Sequence, residues 1–175
     1  MSQKHGYLLN GVEKADSISI SGHKWIFQPK ESSILLFKNT AEANQSISIS
    51  AGYLSSSNIG IMGSRGAIGL PLLATLMAWG KEGLAKRLNG CMTLSDELHS
   101  HLLETGVYIF AKPTSGVILW RPRAPYTADE IFLRLPAGSA SLATISGEKW
   151  IRHVAANPNM EIDLLCSEIT TALGY

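Results

Sequence analysis

The chain has 175 residues, 15 Lys and Arg against 14 Asp and Glu, and a hydrophobic fraction of 45%. A charge so nearly balanced gives no sign of a nucleic-acid or acidic-membrane surface, and the apolar fraction is that of an ordinary globular protein. Cys91 and Cys166 lack close spacing and companion histidines, so no metal site is expected and a reduced, cytoplasmic setting is.

Met1-Ser2-Gln3-Lys4-His5 leads into a mixed polar segment rather than the apolar run of a secretion signal, and none is expected. The first element is a strand. Asp16-Ser17-Ile18-Ser19-Ile20-Ser21 alternates polar and apolar side chains, which puts Ile18 and Ile20 on one face, and Gly22 ends it. Ser21-Gly22-His23-Lys24-Trp25 then sets a lysine just past the carboxyl end of the strand, where α/β folds place ligands. A neutral lysine amine attacks an aldehyde to form a Schiff base, and a positive neighbour such as His23 favours the neutral form. An isolated His-Lys pair is usually no more than a solvated turn.

Residues 32–37 read as a second, buried strand closed by Lys38-Asn39. Residues 46–64, rich in Ser, Gly and Asn and poor in apolar periodicity, suit a loop that opens and closes over a site. The uncharged run 66–80 is too short to span a membrane and contains Pro71, so a buried helix over 68–79 is expected instead. Leu84, Leu88, Met92, Leu98 and Leu102 then recur at mostly helical spacing across 82–104, and Gly106 stops the helix.

Beyond Gly106 the pattern is α+β. Residues 107–110 and 117–120 read as strands, and 127–133 as a short helix capped by Thr127. Residues 142–145 and 150–154 form a hairpin around Ser146-Gly147-Glu148, and 161–173 a last helix.

Three local patterns carry no function. Ser21-Gly22-His23-Lys24 satisfies S-x-x-K, but the companion elements of the penicillin-recognising enzymes are missing. Gly60, Gly63, Gly66 and Gly69 recur without the Gly-Lys-Ser/Thr of a phosphate loop. His99 and His101 lie two apart on a helix and point different ways, and His153 is a strand residue.

Taken together, Ala15-Asp16-Ser17-Ile18-Ser19-Ile20-Ser21-Gly22-His23-Lys24-Trp25-Ile26-Phe27-Gln28-Pro29 resembles the cofactor-lysine segment of the group II pyridoxal phosphate decarboxylases, the family of aromatic-amino-acid, glutamate and diaminobutyrate decarboxylases. The likeness continues through Gly63-Ser64-Arg65 to Trp150, Arg152, Asn157 and Pro158, and so covers nearly the whole chain.

The resemblance implies a fold of class α/β: residues 1–82 as the end of a fold type I large domain, and 83–175 as a small carboxyl-terminal α+β domain. It implies pyridoxal 5′-phosphate as cofactor, carried by Lys24 as an internal aldimine, with His23 and Ser21 near the phosphate or ring. Several relatives have asparagine where Ser21 stands, although a serine hydroxyl also bonds a phosphate oxygen. Followed without a gap, the likeness brings the family's loop tyrosine onto Tyr53, the candidate acid that protonates the α-carbon after carbon dioxide leaves. Arg65 is a further candidate, as a partner for a carboxylate or an anchor for the loop's return to the helix.

The substrate implied is a small molecule, an amino acid, and the assembly of the full-length parent a homodimer. The family's pyridine-binding aspartate, ring-stacking histidine and main phosphate loop all precede the lysine strand by a long stretch, and here only 23 residues precede Lys24. Asp16 lies on the strand itself and Glu13 is no better placed, so the chain is expected to be the carboxyl-terminal part of a longer enzyme. Two other functions are open: a carbon–carbon lyase of the sphingosine-phosphate lyase type, and a non-catalytic remnant or interaction fragment.

Overall fold

The computed structural model describes residues 3–53, 58–59, 66–67 and 69–175, with the backbone alone at 58–59. The lysine segment begins in strand β1, Ser17–Ser21, which pairs antiparallel with β2, Ser33–Phe37, from Ser17↔Phe37 to Ser21↔Ser33. Ile18 and Ile20 are half-buried while Ser17 and Ser19 face solvent, as the alternation requires. β2 differs from the buried strand expected at 32–37: Leu35 and Leu36 are exposed. A two-stranded ribbon buries a side chain only where another layer covers it, and Ile34 and Phe37 of this strand are half-buried.

Helix α1, Thr40–Ile47, follows β2 directly. The Asn39 side chain accepts from the Glu42 backbone N–H at 3.2 Å and its Nδ2 donates to Glu42 Oε2 at 3.1 Å, which closes the first turn. The expected loop of 46–64 therefore starts later than its composition suggested. Ser46 and Ile47 end α1, and the two-residue strand β3, Ser48–Ile49, pairs with β4, Asn58–Ile59.

Helix α2 runs Leu70–Glu104 with one break, at Gly80 (φ 59°, ψ −171°), a left-handed value that glycine adopts without penalty. The two helices expected at 68–79 and 82–104 thus follow each other through a single residue. The first is not buried: Leu70, Leu73, Leu76 and Met77 are exposed. Its apolar residues surround the helix, and one side alone packs on the lysine segment, through Thr75 and Trp79.

The chain divides into two compact units, Met1–Leu84 and Ala85–Tyr175. The second carries a four-stranded antiparallel sheet in the order β5-β6-β8-β7, made of β5 Tyr108–Ile109, β6 Val117–Arg121, β7 Ser141–Ile145 and β8 Glu148–Val154. β7 and β8 meet at Ser146-Gly147, both with positive φ, as a tight two-residue hairpin turn demands.

Pairing Ile118↔His153 and Trp120↔Ile151 puts all four of these side chains on the covered face. There they meet Leu98 and Leu102 of α2, Ile131 of α3 (Ala128–Arg134), and Leu165 and Ile169 of α4 (Ile162–Leu173) in one core. Thr127 and Glu130 cap α3 reciprocally, and hydrogen bonds from the Thr127 backbone and then its hydroxyl hold the Glu130 carboxyl below its ordinary range. The opposite face stacks Arg121 over Tyr108 and Trp150, with Phe110 edge-on to Trp150.

Candidate functional site

Ser21, His23 and Lys24 share one tight turn. Gly22 leaves β1 by donating to the Ser32 carbonyl at 2.9 Å, Lys24 N–H returns to Ser21 O at 3.3 Å, and Gln28 N–H closes the loop on Gly22 O at 3.0 Å. Gly22 is required here by space: a Cβ on it would lie 2.6 Å from Ser32 Oγ and 3.0 Å from the Ser32 carbonyl oxygen. Within this frame His23 and Lys24 are exposed, Ser21 is half-buried, and Ile26 is buried beneath them.

Phe27 takes a left-handed backbone (φ 56°), uncommon for a non-glycine residue, and its ring stands edge-on to Trp79 with centroids 6.0 Å apart. The buried Gln28 amide donates through Nε2 to Ile26 O and to Thr75 Oγ1, both at 2.9 Å. The lysine turn is thereby fastened to α2, and Thr75 passes the bond on to Pro71 O at 2.9 Å. Gln28 had no role assigned from sequence. The signal was an amide between Ile26, Phe27 and Pro29, because burial of an amide favours bonded partners; its Nε2 has two, and its Oε1 has none among the described residues.

Tyr53 lies between β3 and β4 with its side chain 85% exposed. Among the described residues no hydrogen bond or ring contact joins it to the lysine turn, so the two belong to one unit without being assembled. Arg65 lies outside the described residues. Burial pushes the thiols of Cys91 and Cys166 up, Cys166 further by Asp163, Glu97 and Glu104, which makes both poor nucleophiles. Among the described residues no helix is long and apolar enough to cross a membrane, and no three metal-binding side chains come together.

Residues 1–122, more than half of the chain, match the family described as the pyridoxal-dependent decarboxylase conserved domain. The chain belongs to the pyridoxal-dependent decarboxylase family. It is 28% identical to the L-2,4-diaminobutyrate decarboxylase of Rhizobium meliloti (strain 1021) over 98% of its length, which is 39% of that protein. Serine decarboxylase 3 of Oryza sativa subsp. japonica is 31% identical over 84% of the chain and 30% of the relative. The chain thus spans less than half the length of these relatives.

In fold, the crystal structure of mouse CSAD superposes with a TM-score of 0.82 at 18% identity, over 98% of this chain and 42% of that one. The α/β class with its following α+β segment is therefore that of the fold type I decarboxylases, over the part this pyridoxal-dependent decarboxylase family member covers.

A pyridoxal group asks for a primary amine at its aldehyde, donors at its phosphate and an acid at its ring nitrogen. Lys24 and the Ser21 hydroxyl meet the first two by their chemistry and by sharing one turn, and the exposed amine is open to an aldehyde from solvent. Among the described residues no carboxylate is bonded to this turn. The turn fits the aldehyde and phosphate ends of the group.

Proposed function

We propose that this chain takes part in pyridoxal phosphate-dependent decarboxylation of an amino acid, with Lys24 holding the cofactor. One observation carries the reading: an exposed lysine amine stands at the end of β1 on a turn pinned by Gly22, Ser32 and Gln28. When bound, pyridoxal phosphate supplies the electron sink for the carbanion left as carbon dioxide departs.

The residues then divide the work. Lys24 Nζ provides the covalent attachment, and the rigid turn fixes where it stands. The Ser21 hydroxyl would donate to a phosphate oxygen, and His23 would serve the phosphate or the ring. Tyr53 Oη gives its proton to the substrate α-carbon, for which the phenol must leave solvent and cover the lysine turn. Closure also excludes water, which strengthens every polar contact beneath it. Arg65 is proposed as the partner that steadies the returning segment.

The same reading places the protein in the cytoplasm as a homodimer. In support of a partner surface, Leu73, Leu76 and Met77 of α2 stand in solvent.

The test is chemical. The purified chain is mixed with pyridoxal phosphate, reduced with borohydride and mapped by mass spectrometry. Modification at Lys24, lost in Lys24→Ala, is the expected result. A folded chain that yields no adduct at Lys24 overturns the proposal and leaves a non-catalytic role.

A further inference from the structure

The second unit carries a polar pair buried without an assigned task. Ser95 of α2 is 1% exposed and His153 of β8 is 3% exposed. Among the described residues, Ser95 Oγ and both ring nitrogens of His153 lack a hydrogen-bond partner. Both side chains line one cavity of about 20 Å³, together with Ser139 and otherwise apolar walls such as Leu98, Ile118 and Met160.

A buried hydroxyl and a buried imidazole that both lack partners are unusual, because each forfeits its bonds to water on folding. The ring is not free to seek a partner by turning. It stacks on Trp120, with centroids 6.2 Å apart and planes 9° apart, and β8 pairs His153 directly against Ile118.

The size and lining of the cavity decide what it takes. One water needs roughly 10–15 Å³ and two or more polar partners. A metabolite does not fit about 20 Å³, and no carboxylate lines the cavity to hold a cation. We propose that this cavity is a binding site for one structural water molecule that bridges Ser95 Oγ and the His153 ring.

In a neutral imidazole one nitrogen donates and the other accepts. Burial holds the ring neutral near pH 7, so its bare nitrogen is open to the water. The water donates to that nitrogen and accepts from the Ser95 hydroxyl. It links α2 to β8 beneath the sheet and fixes the ring's tautomer.

The test uses the whole wild-type chain, by crystallography at a resolution that places single waters and by water–protein NMR cross-relaxation at the His153 ring protons. The expected result is one density peak about 2.7–3.2 Å from both Ser95 Oγ and a His153 nitrogen, with a matching long-lived water signal. In Ser95→Ala that signal is lost while the stacking on Trp120 stays. A ring bonded directly to Ser95 Oγ, or a dry cavity with no cross-relaxation, overturns the proposal. The wild-type measurement decides this even if the variant does not fold.

Discussion

Gln28 Nε2 lies 2.9 Å from Thr75 Oγ1, and this single bond ties the turn bearing Lys24 to a helix 47 residues further along the chain. The turn that carries the lysine is thus fastened in part by an amide whose two bonds go to neither the lysine nor its neighbours His23 and Ser21.

Gln28→Ala removes the donor shared by Ile26 O and Thr75 Oγ1 and leaves a buried carbonyl unpaired. A loss of about 1–3 kcal/mol is expected, read by urea unfolding. Borohydride trapping at Lys24 should also slow, because the turn is held less firmly, whereas Gln28→Glu at low pH should recover part of the effect.

Gly22→Ala forces a methyl against Ser32, whose Oγ would lie 2.6 Å away. Overpacking of this kind costs about 1–3 kcal/mol. Ser32→Gly in the same chain should restore only part of it, since the Ser32 carbonyl oxygen stays 3.0 Å from the added carbon. Full recovery by the second change would place the clash in the side chain alone.

Tyr53→Phe keeps the ring and removes the acid. In a preparation that releases amine, the Lys24 adduct should form at the wild-type yield while amine release per adduct falls by about 10²- to 10⁴-fold, the usual worth of a positioned acid. Unchanged release would assign the proton to another group.

His153 sets a pH dependence. Burial lowers its pKa from 6.5 to about 4, and the Ser139 backbone opposes this only in part. The unfolded chain therefore binds the proton more readily than the folded one. Stability is fully present above pH 6.5 and is lost as pH falls from there toward 4. At about 1.4 kcal/mol per unit the loss is roughly 3 kcal/mol. No charged side chain lines the cavity beside this ring. Unfolding free energies of wild type and His153→Gln at about pH 7.5 and pH 4.5 should diverge by that amount.

Most elements of the second unit were legible from residues 106–175, because each has its own punctuation. Gly106 (φ 70°) ends α2, Thr127 and Glu130 cap α3, Ser146-Gly147 turn the hairpin, and Gly174 (φ 86°) ends α4. The lysine turn was legible for a different reason: its polar and apolar residues alternate and then stop at a glycine.

What the sequence hid depends on contacts made far along the chain. Helix α1 has few apolar residues, and its clearest mark is the Asn39–Glu42 cap. The exposure of Leu35, Leu36 and Met77 follows from what lies over them, which no local pattern records. Gln28 and Thr75 are likewise unremarkable until folding joins them. His153 read as an ordinary strand residue because alternation gives its face but not its partners.

The four indoles divide evenly between the two units: Trp25 and Trp79 in the first, Trp120 and Trp150 in the second. Trp79 touches Phe27, three residues past Lys24, so its emission reports on the lysine turn, whereas Trp120 is wholly buried against His153. With Trp120 and Trp150 changed to Phe, fluorescence becomes a private gauge of the lysine segment, and a pyridoxal group arriving at Lys24 would announce itself by quenching the indole beside it.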